Sequence, residues 1–188
     1  NLQVITSLLS LQSSTIQDEA TRNLFQQSQY RINAMATIHK TLYQSDDFLT
    51  IGYNEYIHAL CHYLIMSMKG HEKHIELVID AADIKLNMDT AIPLGLLINE
   101  IITNSLKYGI IGDAKGRIEV QLKRLECPKL QLFIGDDGVG FSEDIHSKNI
   151  QSLGLKLITN LTRQLKGTIV RDASKKGTHY VLNFEEIE

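Results

Sequence analysis

The chain has 188 residues, 43% of them hydrophobic, and carries 19 Lys and Arg against 22 Asp and Glu for a formal charge of −3. That length supports a well-buried core plus one appended element, and the near-neutral charge gives no electrostatic reason to expect nucleic acid or an anionic membrane as partner. No apolar run approaches the ~20 residues of a membrane span, and Cys61 and Cys127 are too few and too isolated for a disulfide framework or a zinc site, which fits a reducing, cytoplasmic setting.

In chain order, Leu2, Ile5, Leu8, Leu9 and Leu11 follow helical spacing, and Gln12-Ser13-Ser14-Thr15 reads as a break. A second helical pattern runs through Ile16, Ala20, Leu24, Ile32, Met35, Ile38 and Leu42 and stops before Ser45-Asp46-Asp47. Two helices joined by a short polar turn make an antiparallel hairpin whose apolar stripe needs cover, either from a second copy of itself or from the chain's own globular domain. The sequence opens mid-pattern, with neither a starting Met nor a signal peptide, so it is expected to be a piece of a longer protein.

The helical period returns from Ile57 through Leu60, Cys61, Leu64, Ile65 and Met68, with Gly70 able to close it. It then switches to two, at Ile75-Leu77-Ile79 and at Ile84-Leu86-Met88. The stretch from Pro93 to Gly109 reads as one helix, with Asp89 or Thr90 as its cap, Pro93 in the first turn and Gly109 ending it. Leu94, Leu97, Ile98, Ile101 and Ser105 make its buried stripe. At about 100° per residue, Glu100, Asn104 and Lys107 fall within roughly 60° of one another beside that stripe. Such a carboxylate, amide and ammonium could hold a hydrated Mg²⁺ and a polyphosphate, or form an ordinary solvated flank. Asn99 projects away from the Glu100 face and reads as structural.

Strand-like segments follow at Ile118-Val120-Leu122 and Leu130-Leu132-Ile134, then a polar stretch from Ser142 to Gln151 and a helix around Leu155, Ile158, Leu161 and Leu165. Ile169-Val170 and Tyr180-Leu182-Phe184 complete the set. Strands and helices come in mixed blocks, so the fold class is α+β, a helical hairpin followed by helices layered on one face of a mixed sheet. The expected division is residues 1–45 for the hairpin, 46–69 for a connecting helix and 70–188 for the α/β domain.

Asp136-Asp137-Gly138-Val139-Gly140 directly follows an apolar strand. Glycines two apart let a backbone approach a flat ring or a phosphate, and the Asp136 carboxylate can accept a hydrogen bond from an exocyclic amine such as adenine N6. An Asp-Gly turn between strands uses the same residues. Ser152-Leu153-Gly154-Leu155 stands at the head of a helix, where free N–H groups favour phosphate. His58, His62, His71 and His74 have suggestive spacings but no carboxylate partner nearby, and they read as surface residues; His146 is assigned nothing.

The order of these pieces carries more than any one of them. Asn104 with Lys107-Tyr108, then Asp136-x-Gly-x-Gly, then Gly154-Leu155, then Gly177-Thr178 resembles the boxes of the Bergerat-fold ATP-binding superfamily of sensor histidine kinases, gyrase, MutL and heat-shock chaperones, over roughly residues 70–188. Asn1 to Gln12 resembles the segment just after the phosphoacceptor in two-component kinases with an H-x-x-x-K-N-N-L-Q type box, and Met35 to Tyr43 resembles that subfamily's second dimerisation helix. The resemblance implies a sensor histidine kinase region whose cofactors are ATP and Mg²⁺. Asn104 would ligate Mg²⁺, Lys107 would touch phosphate and Tyr108 would line the pocket. Asp136 would read adenine, Gly138 and Gly140 would give clearance, and Thr178 would support the adenine-side hydrogen bonds. Gly154 and Leu155 would end a lid formed by 142–151. Glu100 stands where superfamily ATPases keep a water-activating carboxylate, and in a kinase it would orient the metal's waters instead.

The implied phosphoacceptor precedes Asn1; His39, on the second helix and followed by Lys40 rather than an acid, is the weaker alternative. Implied partners are a response-regulator receiver domain, a second copy through the hairpin and an upstream sensor domain. Two other functions share the motifs: an ATPase clamp of the gyrase or chaperone kind, and a regulatory nucleotide-binding module like the anti-sigma relatives. The hairpin favours the kinase.

Overall fold

The computed structural model describes residues 1–43, 50–69, 75–81, 84–111, 115–140 and 153–187. Helices α1 (Leu2–Thr15) and α2 (Glu19–Tyr43) form the expected hairpin, but the turn falls at residues 16–18. Ser13, Ser14 and Thr15 extend α1 beyond the expected break, and each hydroxyl is satisfied within the helix by donating to the carbonyl three residues back, at 2.7–2.9 Å. Asp18 starts α2 by accepting the Thr21 N–H at 2.7 Å, and the hydrogen bond from the Thr21 hydroxyl lowers its carboxyl pKa.

Tyr30, Ala34 and Ile38, spaced by four, bury one face of α2 against α3 (Tyr53–Lys69) and α4 (Met88–Asn104). The hairpin's second helix is thus covered by the chain's own domain. Its first is not: α1 has no buried residue, and Val4, Ile5, Leu8 and Leu11 stay exposed. Helix α3 begins four residues earlier than its apolar period suggests and brings Tyr53, Tyr56, Ile57, Leu60, Cys61 and Leu64 fully into the core. Burial pushes the Cys61 thiol far up, so it stays protonated. A short strand without a legible period, β1 (Thr50–Gly52), pairs antiparallel with β3 (Lys85–Asn87). Gly70 lies outside the described residues.

Strands β2 (Ile75–Asp80), β4 (Gly116–Arg124), β5 (Lys129–Asp136), β6 (Thr168–Arg171) and β7 (Thr178–Glu185) form a five-stranded sheet in the order β2-β4-β5-β7-β6. Only β2–β4 is parallel, so the sheet is mixed. Strict alternation sends Ile118, Val120 and Leu122 of β4, Leu130, Leu132 and Ile134 of β5, and Leu182 and Phe184 of β7 to one buried face. The helices cover that face, and α5 (Leu153–Gln164) presents Ile158 and Leu161 to it.

Helix α4 is the centre of the molecule, and it starts differently from expectation. Asn87 is its cap, accepting the Thr90 N–H at 2.9 Å. Asp89 and Thr90 therefore already lie in the first turn, and Pro93 lies inside the helix. Thr90 is engaged elsewhere, its hydroxyl accepting the Ile187 N–H at 2.8 Å. From Thr90 to Thr103 every residue but Ile92 is buried, so no flank of this stretch is solvated. A helix covered all round is one sandwiched between layers. It also ends sooner: Ser105–Gly109 form a π-turn, marked by an Ile110 N–H to Ser105 C=O bond of 2.8 Å across five residues. Among the described residues, no helix is long and apolar enough to cross a membrane.

Candidate functional site

Asp136 takes the last inward position of β5, continuing the alternation Leu130-Leu132-Ile134 with a carboxylate in place of an apolar side chain. It is 1% exposed. The Ser105 hydroxyl donates to Oδ2 at 2.6 Å, and the Gly138 N–H donates to Oδ1 at 2.9 Å. Those two bonds fix the plane of the carboxyl group and satisfy part of its need for donors. Thr178 is its partner across the β5–β7 ladder and is buried too.

The surrounding glycines are set by contact. A Cβ on Gly109 would lie 2.7 Å from Asp136 Oδ1, and one on Gly138 would run into the Gly109 carbonyl. Gly177, at φ +90°, would drive a Cβ into the Asp136 carbonyl. The Val139 N–H donates to the Gly109 carbonyl at 3.0 Å, tying the turn after β5 to the end of the π-turn. Between them lies a slot of about 10 Å³, roughly one water in size, lined by Ile101, Asn104, Ser105, Gly109, Asp136, Gly140, Thr178 and Tyr180. Burial raises the Tyr180 phenol, which therefore stays neutral.

Asn104 also lines a second, far larger cavity of about 730 Å³. Glu100, Lys107, Tyr108, Gly154 and Leu155 share that cavity with it, and Asn23, Gln26, Gln27 and Tyr30 of α2 form the opposite wall. The π-turn leaves Lys107 and Tyr108 exposed, with the Lys107 Nζ 5.2 Å from the centre of the Tyr108 ring. Glu100 is 4% exposed and doubly bound: Arg31 Nε donates to Oε1 and Nη2 to Oε2, each at 2.8 Å. Asn99, expected to face away from it, donates from Nδ2 to Oε1 at 3.1 Å. Adjacent helical positions are only about 100° apart, so the Asn99 amide and the Glu100 carboxylate can still meet.

All ten residues singled out from sequence thus gather around two adjoining spaces, with Asn104 common to both; Gly138 joins through its bond to Asp136. The proposed lid, 142–151, lies outside the described residues, as do His71, His74 and His146. His39, His58 and His62 are exposed. Among the described residues, no three His, Cys, Asp or Glu side chains converge as a metal cage. Sequence reasoning missed Arg31, Tyr180 and the α2 amides. Ser105, a hydroxyl inside an apolar stripe, was the legible hint of a polar partner for Asp136.

Two family profiles match the chain. One, described as histidine kinase, covers residues 1–68; the other, described as histidine kinase-, DNA gyrase B- and HSP90-like ATPase, covers residues 89–187. The sensor histidine kinase PdtaS of Mycobacterium tuberculosis is 26% identical over 186 residues, 97% of this chain and 36% of that protein. Blue-light-activated histidine kinase 2 of Erythrobacter litoralis is 26% identical over 111 residues, 59% of this chain and 32% of that protein. The chain thus spans about a third of the length of these curated relatives. Among solved structures, the histidine kinase domain of the Erythrobacter litoralis EL346 blue-light-activated kinase superposes with a TM-score of 0.73 at 21% identity, covering 99% of this chain and 86% of that one. That likeness establishes the fold.

Proposed function

This chain belongs to the histidine kinase-, DNA gyrase B- and HSP90-like ATPase family, and from that premise we propose that it is the ATP-binding catalytic region of a sensor histidine kinase. It directs the γ-phosphoryl group of Mg-ATP to a histidine upstream of Asn1 and thence to a response-regulator aspartate. The observation that carries this reading is the position of Asn104, in the wall of both the Asp136 slot and the 730 Å³ cavity. A nucleotide needs such a junction, a narrow space for a flat base opening into a roomy one for a charged chain.

Each residue then has a role set by its surroundings. Asp136, held by Ser105 and Gly138, accepts from the exocyclic amine of adenine, with Thr178 beside it. An adenine ring needs more room than the slot of about 10 Å³ offers, so its entry requires the 138–140 turn to move away from Gly109. Gly138 and Gly140 give the base clearance. Lys107 offsets phosphate charge, Tyr108 covers the cavity edge, and Gly154 and Leu155 present the head of α5 to the phosphates. The residues present fit Mg²⁺ in the manner of sites that lean on the nucleotide: Asn104 would supply a protein oxygen and the remaining ligands would be phosphate oxygens and waters, so no all-protein cage is required. The ion would supply neutralisation of charge on the transferring group, and the protein's part is positioning. Glu100, bound on both oxygens by Arg31, is poorly placed to abstract a proton from water, which weighs against the ATPase-clamp reading.

The exposed apolar side of α1 suits pairing with a second copy, and the receiver domain and an upstream sensor domain complete the proposed partners. The deciding experiment is to incubate the chain, extended upstream through the next ten or so residues, with labelled ATP. Acid-labile label on the longer form and none on the present chain is expected. Phosphate release without protein labelling would move the assignment to the ATPase, and tight binding with neither outcome to the regulatory module.

A further inference from the structure

Three elements converge on one carboxylate. Arg31 reaches from α2 to both oxygens of Glu100, Asn99 donates to Oε1 from within α4, and Gly154 brings α5 so close that a Cβ there would lie 3.1 Å from Oε2. The Arg31 side chain is 15% exposed and that of Glu100 6%, so little water screens the pair. A carboxylate offers about four acceptor sites, and three are already occupied by protein donors. The same Glu100 faces the large cavity beside Asn104 and Lys107.

We propose that Arg31, supplied by the hairpin, regulates the metal end of the nucleotide site by competition: while α2 is docked it keeps Glu100 as its own counter-ion, and α2 and the hydrated Mg²⁺ of the nucleotide compete for that one carboxylate. The inference rests on the nucleotide-binding reading above. Arginine suits the task because its planar fork matches both carboxylate oxygens at once, whereas a lysine ammonium satisfies them one at a time. Removing the arginine leaves Glu100 buried and uncompensated, which favours opening of the interface and frees the carboxylate. Competition is reciprocal: whatever factor docking takes from Mg-nucleotide affinity, Mg-nucleotide takes from docking. A bridge that serves only stability would lack this coupling to magnesium.

The test uses the full chain, a non-hydrolysable ATP analogue titrated calorimetrically with Mg²⁺ or with EDTA, and amide hydrogen exchange. In the wild-type protein, the analogue with Mg²⁺ should accelerate exchange around Tyr30 to Ile38, and the analogue with EDTA should not. Arg31→Gln should tighten binding in Mg²⁺ by about five- to tenfold and leave binding in EDTA within about twofold. Arg31→Lys should fall between. An unchanged ratio of the two affinities in Arg31→Gln, or equal weakening of both, would overturn the proposal. Wild-type exchange that ignores Mg-nucleotide would do so with no variant at all. Failure of the wild-type chain to bind the analogue in either buffer would instead remove the nucleotide reading itself, and Arg31's role with it.

Discussion

The two ends of the cleft are built on different plans. At the Asp136 end the walls come from the sheet, the turn after β5, α4 and the π-turn, and the carboxylate is fixed by Ser105 of the π-turn and Gly138 of the turn after its own strand. At the Glu100 end one wall is α2, a helix from the other part of the chain, and the carboxylate is fixed by that helix's Arg31. The first end is a tight slot and the second a wide cavity. The difference teaches that, on the proposed nucleotide reading, the base end would be intrinsic to the sheet and the elements beside it, whereas the phosphate end would depend on where the hairpin sits.

Substitutions can break that contrast, beginning with the largest effect. Gly177→Val puts a β-branched residue at φ +90° against the Asp136 carbonyl and should cost about 3 kcal/mol of folding stability, read as a lowered denaturant midpoint. A stable Gly177→Val would mean the slot is less rigid than its contacts imply. Next, Asp136→Asn should weaken adenine-nucleotide binding ~10- to 100-fold, the value of a buried hydrogen bond to a charged group, and GTP binding much less. Equal losses for both nucleotides would remove Asp136 from base reading.

Asn104→Asp sets a negative charge beside the phosphates and should cut analogue affinity in EDTA about tenfold, with Mg²⁺ restoring part of it. Unchanged binding in both buffers would separate Asn104 from the phosphate end. Smallest is Lys107→Ala, expected to weaken binding only ~two- to fivefold because the ammonium is exposed, with the loss shrinking as salt rises. A larger, salt-independent loss would show that the wide cavity closes on its ligand.

Much of the cleft was legible because its parts are local. Asp136 and the glycines after it follow an alternating strand, Asn104 and Lys107 stand three residues apart, and Gly177-Thr178 opens the strand that pairs with β5. These are short-range patterns, and alternation alone carries Asp136 to the buried face. Arg31–Glu100 was not legible, since the partners stand 69 residues apart and an arginine on an amphipathic helix reads as solvated. Nor was the near-complete burial of α4 from Thr90 to Thr103. Asn99, Glu100 and Thr103 break its apolar pattern, yet Glu100 is bound by Arg31 of α2 and Thr103 donates to the Asn99 carbonyl at 2.8 Å. The Asn99 side chain bonds only through its Nδ2 and leaves Oδ1 buried without a partner among the described residues. The π-turn left no mark either, because Ser-Leu-Lys-Tyr-Gly suits an ordinary helix equally well.

That wide turn has a consequence for how the chain tolerates length changes. An extra residue per ring acts as a shim: it brings Gly109 flush against Asp136 while swinging Lys107 and Tyr108 outward. Removing Leu106 would let the coil tighten to the ordinary pitch, pull Gly109 off the carboxylate and rotate both outward side chains by about 100°. The cleft would then be dismantled without altering one functional group, a defect of phase rather than of chemistry.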